Sequence, residues 1–119
     1  LRAEFENLPF ERFVAIPMST KNHAIGLIRV SSGTLNSSLV HGRDLFVRLL
    51  LSGGCSAIIS HNHPSGLYES TGLAATPSPE DIELTRRLVE VGKILDFPIL
   101  DHIIIAGPQY YSMKEHGHL

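Results

Sequence analysis

Two histidines one residue apart, His61 and His63, stand where the apolar run Ala57-Ile58-Ile59-Ser60 gives out. Asp81 follows in Ser78-Pro79-Glu80-Asp81, at what reads as the first turn of a helix. Two imidazoles and a carboxylate suit a divalent ion of borderline softness, with zinc the first choice. Three protein ligands leave a position open for water, the mark of a catalytic rather than a structural centre. Zinc so held polarises that water and lowers its pKa toward about 7. Hydrolysis also needs a group that takes the proton and hands it to the leaving group, usually a carboxylate. Glu69 lies in the intervening loop, Glu80 faces solvent on a helical reading, and Glu4, Glu6 and Glu11 lie upstream. Spacing alone does not choose among them.

The elements that would position these groups are legible in outline. Residues 10–18 (FERFVAIPM) read as a strand with Pro17 near its end, which predicts a sheet edge or a strand end there. Residues 24–30 resume β character after the turn-rich Ser19 to Asn22, so the two form a hairpin, and Ser31-Ser32-Gly33 breaks the second strand. Residues 44–52 carry a helical apolar stripe stopped by Gly53-Gly54. Residues 56–60 are apolar enough for a strand buried on both faces. Ser78 as N-cap, Pro79 at N1 and acids in the first turn start a second helix that ends near Asp96. Residues 99–106 form a last core strand ended by Gly107-Pro108. Strands alternating with helices predict a three-layer α/β sandwich with a mixed sheet in a single domain.

Each candidate has a plainer alternative. Alternate strand residues share a face, so the two histidines would aim at one point at a sheet rim, yet they could equally brace a loop and bind nothing. Ser78 and Asp81 could do no more than form a variant of the capping box. His102 beside Asp101 resembles a second metal pair, but neighbours in a strand point to opposite faces, so at most one can join the site. Structural use is favoured for both, and for His41 and Arg43 at a helix start. His116 and His118 read as an exposed tail. Cys55 reads as a small buried residue before a core strand.

Composition narrows the field. The chain has 119 residues, 43% of them hydrophobic and 18% charged, with one cysteine, so an internal disulfide and a cysteine-based zinc site are excluded. The formal net charge is −2 and Arg86-Arg87 is the only adjacent basic pair, so no patch for a phosphate backbone is visible. No apolar run reaches the roughly 20 residues of a membrane span. The start at Leu1 shows no leader pattern, and its lack of Met suggests a piece of a longer chain, with residues 1–9 a lead-in. A cytoplasmic setting is the expectation; homo-oligomerisation is left open.

The stretch H-N-H-P-S-G, then P-S-P-E-D-I-E-L-T-R-R-L, then L-D-H-I-I-I-A-G closely resembles the RadC-type branch of the JAB/MPN (JAMM) metalloprotease-like domains. Gly33-Thr34-Leu35, Val40-His41 with Arg43, and Tyr111 to Glu115 extend the likeness over nearly all of the chain from about Phe10. The resemblance implies a cytidine-deaminase-like α/β sandwich with one zinc on His61, His63 and Asp81. It implies that Ser78 stabilises the oxyanion and that an upstream Glu serves as acid–base catalyst. The match of the first strand selects Glu11; its plainer reading is an exposed acid at a strand start. The metal-bound water would attack a peptide or isopeptide-type bond in a protein or peptide substrate. Proteins of this type carry a DNA-repair label, which these residues do not themselves support. One departure is the fourteen residues from Pro64 to Pro77, a longer spacing than the family pattern. The extra 67–76 segment predicts a mobile flap, which covers substrate or else moves Ser78 and Asp81 out of register.

Other functions make other demands. A non-catalytic interaction domain with a vestigial or structural metal fits relatives that lose the ligands, and this chain keeps them. A zinc deaminase needs P-C-x-x-C, and Cys55 stands alone. A metallo-β-lactamase pattern needs an Asp-His pair soon after H-x-H. A metal-dependent nuclease is the weakest alternative.

Overall fold

Backbone pairing among the β-branched and aromatic runs builds a five-stranded sheet in the order β2-β1-β3-β4-β5. The computed structural model describes residues 1–33, 42–64 and 74–119. Along the chain come α1 (Arg2–Phe5), β1 (Glu11–Met18), β2 (Ile28–Gly33), α2 (Gly42–Leu51), β3 (Ser56–Asn62), α3 (Pro79–Ile94), β4 (Ile99–Ala106) and β5 (Gln109–Ser112). Among the described residues only the β3–β4 pair is parallel, so the sheet is mixed. A parallel pair needs a crossover, and α3 supplies it.

Both long helices lie on one face of the sheet. Leu45, Phe46 and Leu49 of α2 and Leu84 and Leu88 of α3 pack on Phe13, Ala15, Ala57 and Ile59. Burying Leu84 and Leu88 contributes roughly 1.5–3 kcal/mol each. The opposite face is covered in part by α1, whose Phe5 meets Val14 and Ile105. The expected three-layer α/β arrangement is therefore present, with one thick helical layer and one thin. At the C-terminal end of α3 a Cβ on Gly92 would come within 2.6 Å of the Phe97 carbonyl oxygen. No larger residue allows the chain to fold back this closely into β4, and the Phe97 N–H seals the turn on the Gly92 carbonyl at 2.8 Å.

Several elements depart from the sequence expectations. Ser31 to Gly33 do not break β2; they pair with Phe13, Arg12 and Glu11, because a continuous partner strand overrides their turn composition. Before Ile28, only an isolated bridge between Met18 and Ala24 links that stretch to β1. β1 is an inner strand, so of the two places expected for Pro17 the strand end is the one found. Pro17 is the penultimate residue of β1, pairs with Ala57 and lies beyond the last β1–β2 pair, Ala15 with Ile28, so its missing N–H removes no rung there. β3 runs two residues further than its apolar run, placing His61 inside the strand. Gly107, at φ 57°, turns the chain back into β5, which sequence analysis missed. Cys55 is exposed, not buried, because it belongs to the turn that delivers the chain to β3, where its N–H donates to the Met18 carbonyl at 2.8 Å.

Candidate metal centre

His61 is the penultimate residue of β3, and the His63 N–H continues the ladder to the Ile105 carbonyl at 2.8 Å. The strand repeat therefore holds both imidazoles on the face that carries α3, their Nε2 atoms 3.1 Å apart. Helix α3 starts against them. Ser78 Oγ accepts from the Asp81 N–H at 3.0 Å and Asp81 Oδ2 accepts from the Ser78 N–H at 2.9 Å, a reciprocal capping box. The same carboxylate reaches His61 Nε2 through Oδ1 at 3.4 Å and His63 Nε2 through Oδ2 at 3.3 Å. Capping and presentation to the histidines coexist in one side chain.

These distances fit a metal. Tetrahedral zinc with bonds of about 2.0–2.1 Å separates its ligand atoms by roughly 3.3 Å. The three contacts measure 3.1, 3.3 and 3.4 Å, although the carboxylate meets the two rings through different oxygens. One donor atom from each of His61, His63 and Asp81 lies within 4.8 Å of the others. The donor set, two borderline nitrogens and one oxygen, is the chemistry zinc takes.

The electrostatics agree. Burial alone would push the Asp81 carboxyl up, but the adjoining His61 and His63 imidazoles, with the Ser78 N–H, hold it far below the usual carboxylate range. Burial opposes a charge on His63, yet Asp81 and the Ala74 carbonyl, which its Nδ1 meets at 2.8 Å, raise its pKa. Glu11 is half-buried, and burial pushes its carboxyl up against the lowering effect of His61 and His63. Its register continues the face of Phe13, which pairs with His61. Asn62, between the two histidines, points to the other face. Its Oδ1 accepts from the Arg12 N–H at 2.7 Å and its Nδ2 donates to the Phe10 carbonyl at 3.0 Å, gripping the backbone on either side of Glu11.

The structure thus brings His61, His63, Ser78 and Asp81 together and sets Glu11 within their field. Glu4 is engaged instead by Arg12 and Arg29, and Glu80 is exposed. Glu69, His41 and most of the 67–76 segment lie outside the described residues. Asp81 meets both histidines, so the longer spacing has not carried it out of register. Of the Asp101–His102 pair, His102 points toward the site: it is fully buried, and its ring stands edge-on to His61, centroids 4.8 Å apart. Asp101 faces away and accepts from Ser112 Oγ at 2.6 Å. Sequence reasoning missed Thr85, which packs beside His102; its place four residues after Asp81, on the same face of α3, was the available signal. His116 and His118 are exposed, as expected, and lie against Tyr111. Among the described residues, no helix is long and apolar enough to cross a membrane.

Comparison with known proteins adds an independent line. A family model described as RadC-like JAB domain matches residues 1–118. A UPF0758 protein of Rubrobacter xylanophilus is 44% identical over 119 residues, which is 100% of this chain and 49% of that protein. One from Desulfitobacterium hafniense is 45% identical over 114 residues, 96% of this chain and 47% of its own length. One from Bacillus cereus is 43% identical over 116 residues, 98% of this chain and 48% of its own length. The chain spans about half the length of the curated relatives it matches. The matched region includes residues 1–9, which the motifs alone set aside as a lead-in; Phe5 packs into the fold there.

Proposed function

This chain belongs to the RadC-like JAB domain family, and from that premise we propose that it is a zinc-dependent hydrolase of peptide or isopeptide-type bonds. The observation that carries the reading is the convergence of His61, His63 and Asp81, whose donor atoms lie within 4.8 Å of one another. JAB domains include hydrolases, and this chain keeps a complete three-residue donor set.

Zinc held by these residues would supply Lewis acidity, polarising water and a carbonyl oxygen. The chain's own groups do the rest. Glu11, its carboxyl raised by burial, takes a proton from the attacking water and delivers it to the leaving nitrogen. Asn62 fixes the backbone on both sides of Glu11, which sets the direction in which its side chain leaves the strand. Ser78 Oγ acts as an acceptor in the helix cap, which leaves its hydroxyl hydrogen to donate to a developing oxyanion.

The test is metal content of tag-free protein by elemental mass spectrometry, followed by a panel of peptides and Lys-linked isopeptide conjugates. The reading expects about one zinc per chain, its loss in His61→Ala, and cleavage of at least one conjugate class. Protein that takes up no zinc after dialysis against micromolar zinc would return the fold to the interaction-domain reading. Zinc-loaded protein that cuts nucleic acid and no conjugate would replace the substrate class.

A further inference from the structure

Behind His61 runs a line of buried polar contacts that ends on the helix presenting Asp81. His61 Nδ1 lies 2.7 Å from His102 Nε2. His102 Nδ1 lies 2.6 Å from Thr85 Oγ1. Thr85 Oγ1 lies 2.8 Å from the Asp81 carbonyl oxygen, one helical turn back. His102 and Thr85 are 0% and 1% exposed, so solvent does not satisfy these atoms. The line closes on itself, because Asp81 contributes its carboxylate to the front of the site and its carbonyl to the back.

We infer that His102 and Thr85 are positioning residues of the metal centre, holding His61 as the Nδ1–H tautomer with its Nε2 lone pair presented forward. The inference rests on His61 being a ligand, as in the function proposed above.

The reason is a count of hydrogens. A neutral imidazole donates from one nitrogen and accepts at the other. A Thr hydroxyl has one hydrogen, and in a helix it commonly gives it to the carbonyl four residues earlier. With that hydrogen spent on the Asp81 carbonyl, Thr85 Oγ1 accepts from His102 Nδ1–H. His102 Nε2 is then the acceptor, and His61 Nδ1 must be the donor. The hydrogen is thereby removed from His61 Nε2, the atom 3.1 Å from His63 Nε2 and 3.4 Å from Asp81 Oδ1. The reverse arrangement, with Thr85 donating to His102, would put a hydrogen on His61 Nε2 and block a metal. A hydrogen-bond partner behind a ligating imidazole sets its tautomer and ring orientation. Here that partner is a second histidine, and the sense of the line is set by a helix carbonyl. Met113 Sδ, 3.4 Å from Thr85 Oγ1, is a weak alternative acceptor that does not alter the count.

The test has two readouts besides turnover: ¹⁵N NMR of the ring nitrogens in zinc-loaded protein, and zinc affinity by competition with a chelator. Both His61 and His102 are expected as Nδ1–H tautomers. Thr85→Val keeps shape and removes the acceptor, so zinc affinity should fall about 10–100-fold, and Thr85→Ser should restore it. A merely structural Thr85 would leave the tautomers unchanged in folded Thr85→Val protein. His102 found as Nε2–H in the loaded wild type, or wild-type zinc affinity in Thr85→Val, overturns the inference. Wild-type protein that takes up no zinc overturns it together with the metal centre. Zinc-loaded protein with the expected tautomers and no hydrolysis upholds it and removes only the proposed activity.

Discussion

Two carboxylates each sit between two basic side chains in this molecule, and they are built for opposite ends. Glu4 lies between Arg12, at 3.0 Å, and Arg29, at 2.7 Å. Its carboxyl is held below its ordinary value by the Arg29 hydrogen bond first and then by Arg12, against some desolvation. Guanidinium groups only donate and never give up their charge, so that cluster is chemically closed. Asp81 lies between two imidazoles instead. Imidazoles trade a proton for a lone pair near neutral pH, so the same arrangement of charge can be handed to a metal. The two carboxylates are almost equally covered, 14% and 12% exposed, and burial separates the clusters only at one basic member of each: the Arg29 side chain is 61% exposed, whereas His61 is 2% exposed. The first cluster ties α1 to the sheet edge; the second joins the start of α3 to the end of β3.

The largest break in this contrast should come from Asp81→Ala. Zinc content is expected to fall from about one per chain to none, while Glu4→Ala leaves it unchanged. Zinc at full occupancy in Asp81→Ala would refute the ligand assignment. Glu11→Gln comes next. It should keep zinc and lower the hydrolysis rate by about 10²–10⁴-fold, measured on whichever conjugate the wild type cleaves; a loss of metal instead would make Glu11 a ligand.

The pH dependence separates the clusters without mutation. In the metal-free protein the pKa of His63 is raised, so its proton competes with zinc, while Asp81 stays ionised throughout the neutral range. Zinc affinity should therefore rise with pH up to the raised His63 value and then level off. Titration calorimetry in buffers of different ionisation enthalpy should show proton release on binding at the low end of that range, and an affinity flat between pH 6 and 8 would contradict it. Smaller still, Ser78→Ala should lower stability by about 1 kcal/mol through the lost cap, seen in denaturant melts. If Ser78 also meets the oxyanion, catalysis drops by more than stability explains. Arg29→Ala should barely move the unfolding midpoint, since its ion pair is exposed to solvent and screened.

Much of the site was legible because its parts are local. The H-x-H pair follows from the two-residue repeat of a strand, and the Ser78–Asp81 cap from the geometry of a first helical turn. Both need only a few neighbouring residues, so they survive without knowledge of the fold. Glu11 was a choice among upstream acids that spacing left open and family resemblance made. Its burial and the grip of Asn62 on Phe10 and Arg12 depend on pairing across fifty residues. Less local features were misread. The continuation of β2 through Ser31 to Gly33 and the return strand β5 come from partners that override weak local preference. Cys55 was placed by its apolar neighbours in sequence, but the turn before β3 directs it outward.

By itself, then, the sequence determined the types of the candidate donors, the alternation of the two histidines, the capped helix start and the mixed α/β class, since periodicity and capping act within a turn or a strand. Only the tertiary structure decided that the α3 start lands on the end of β3, with donor atoms at 3.1–3.4 Å. It also decided that His102, and not Asp101, faces inward, because β4 lies parallel to β3 with Ile59 opposite His102. A sheet face is shared between strands through register, and register is set by packing across the whole core rather than by any residue's neighbours in the chain.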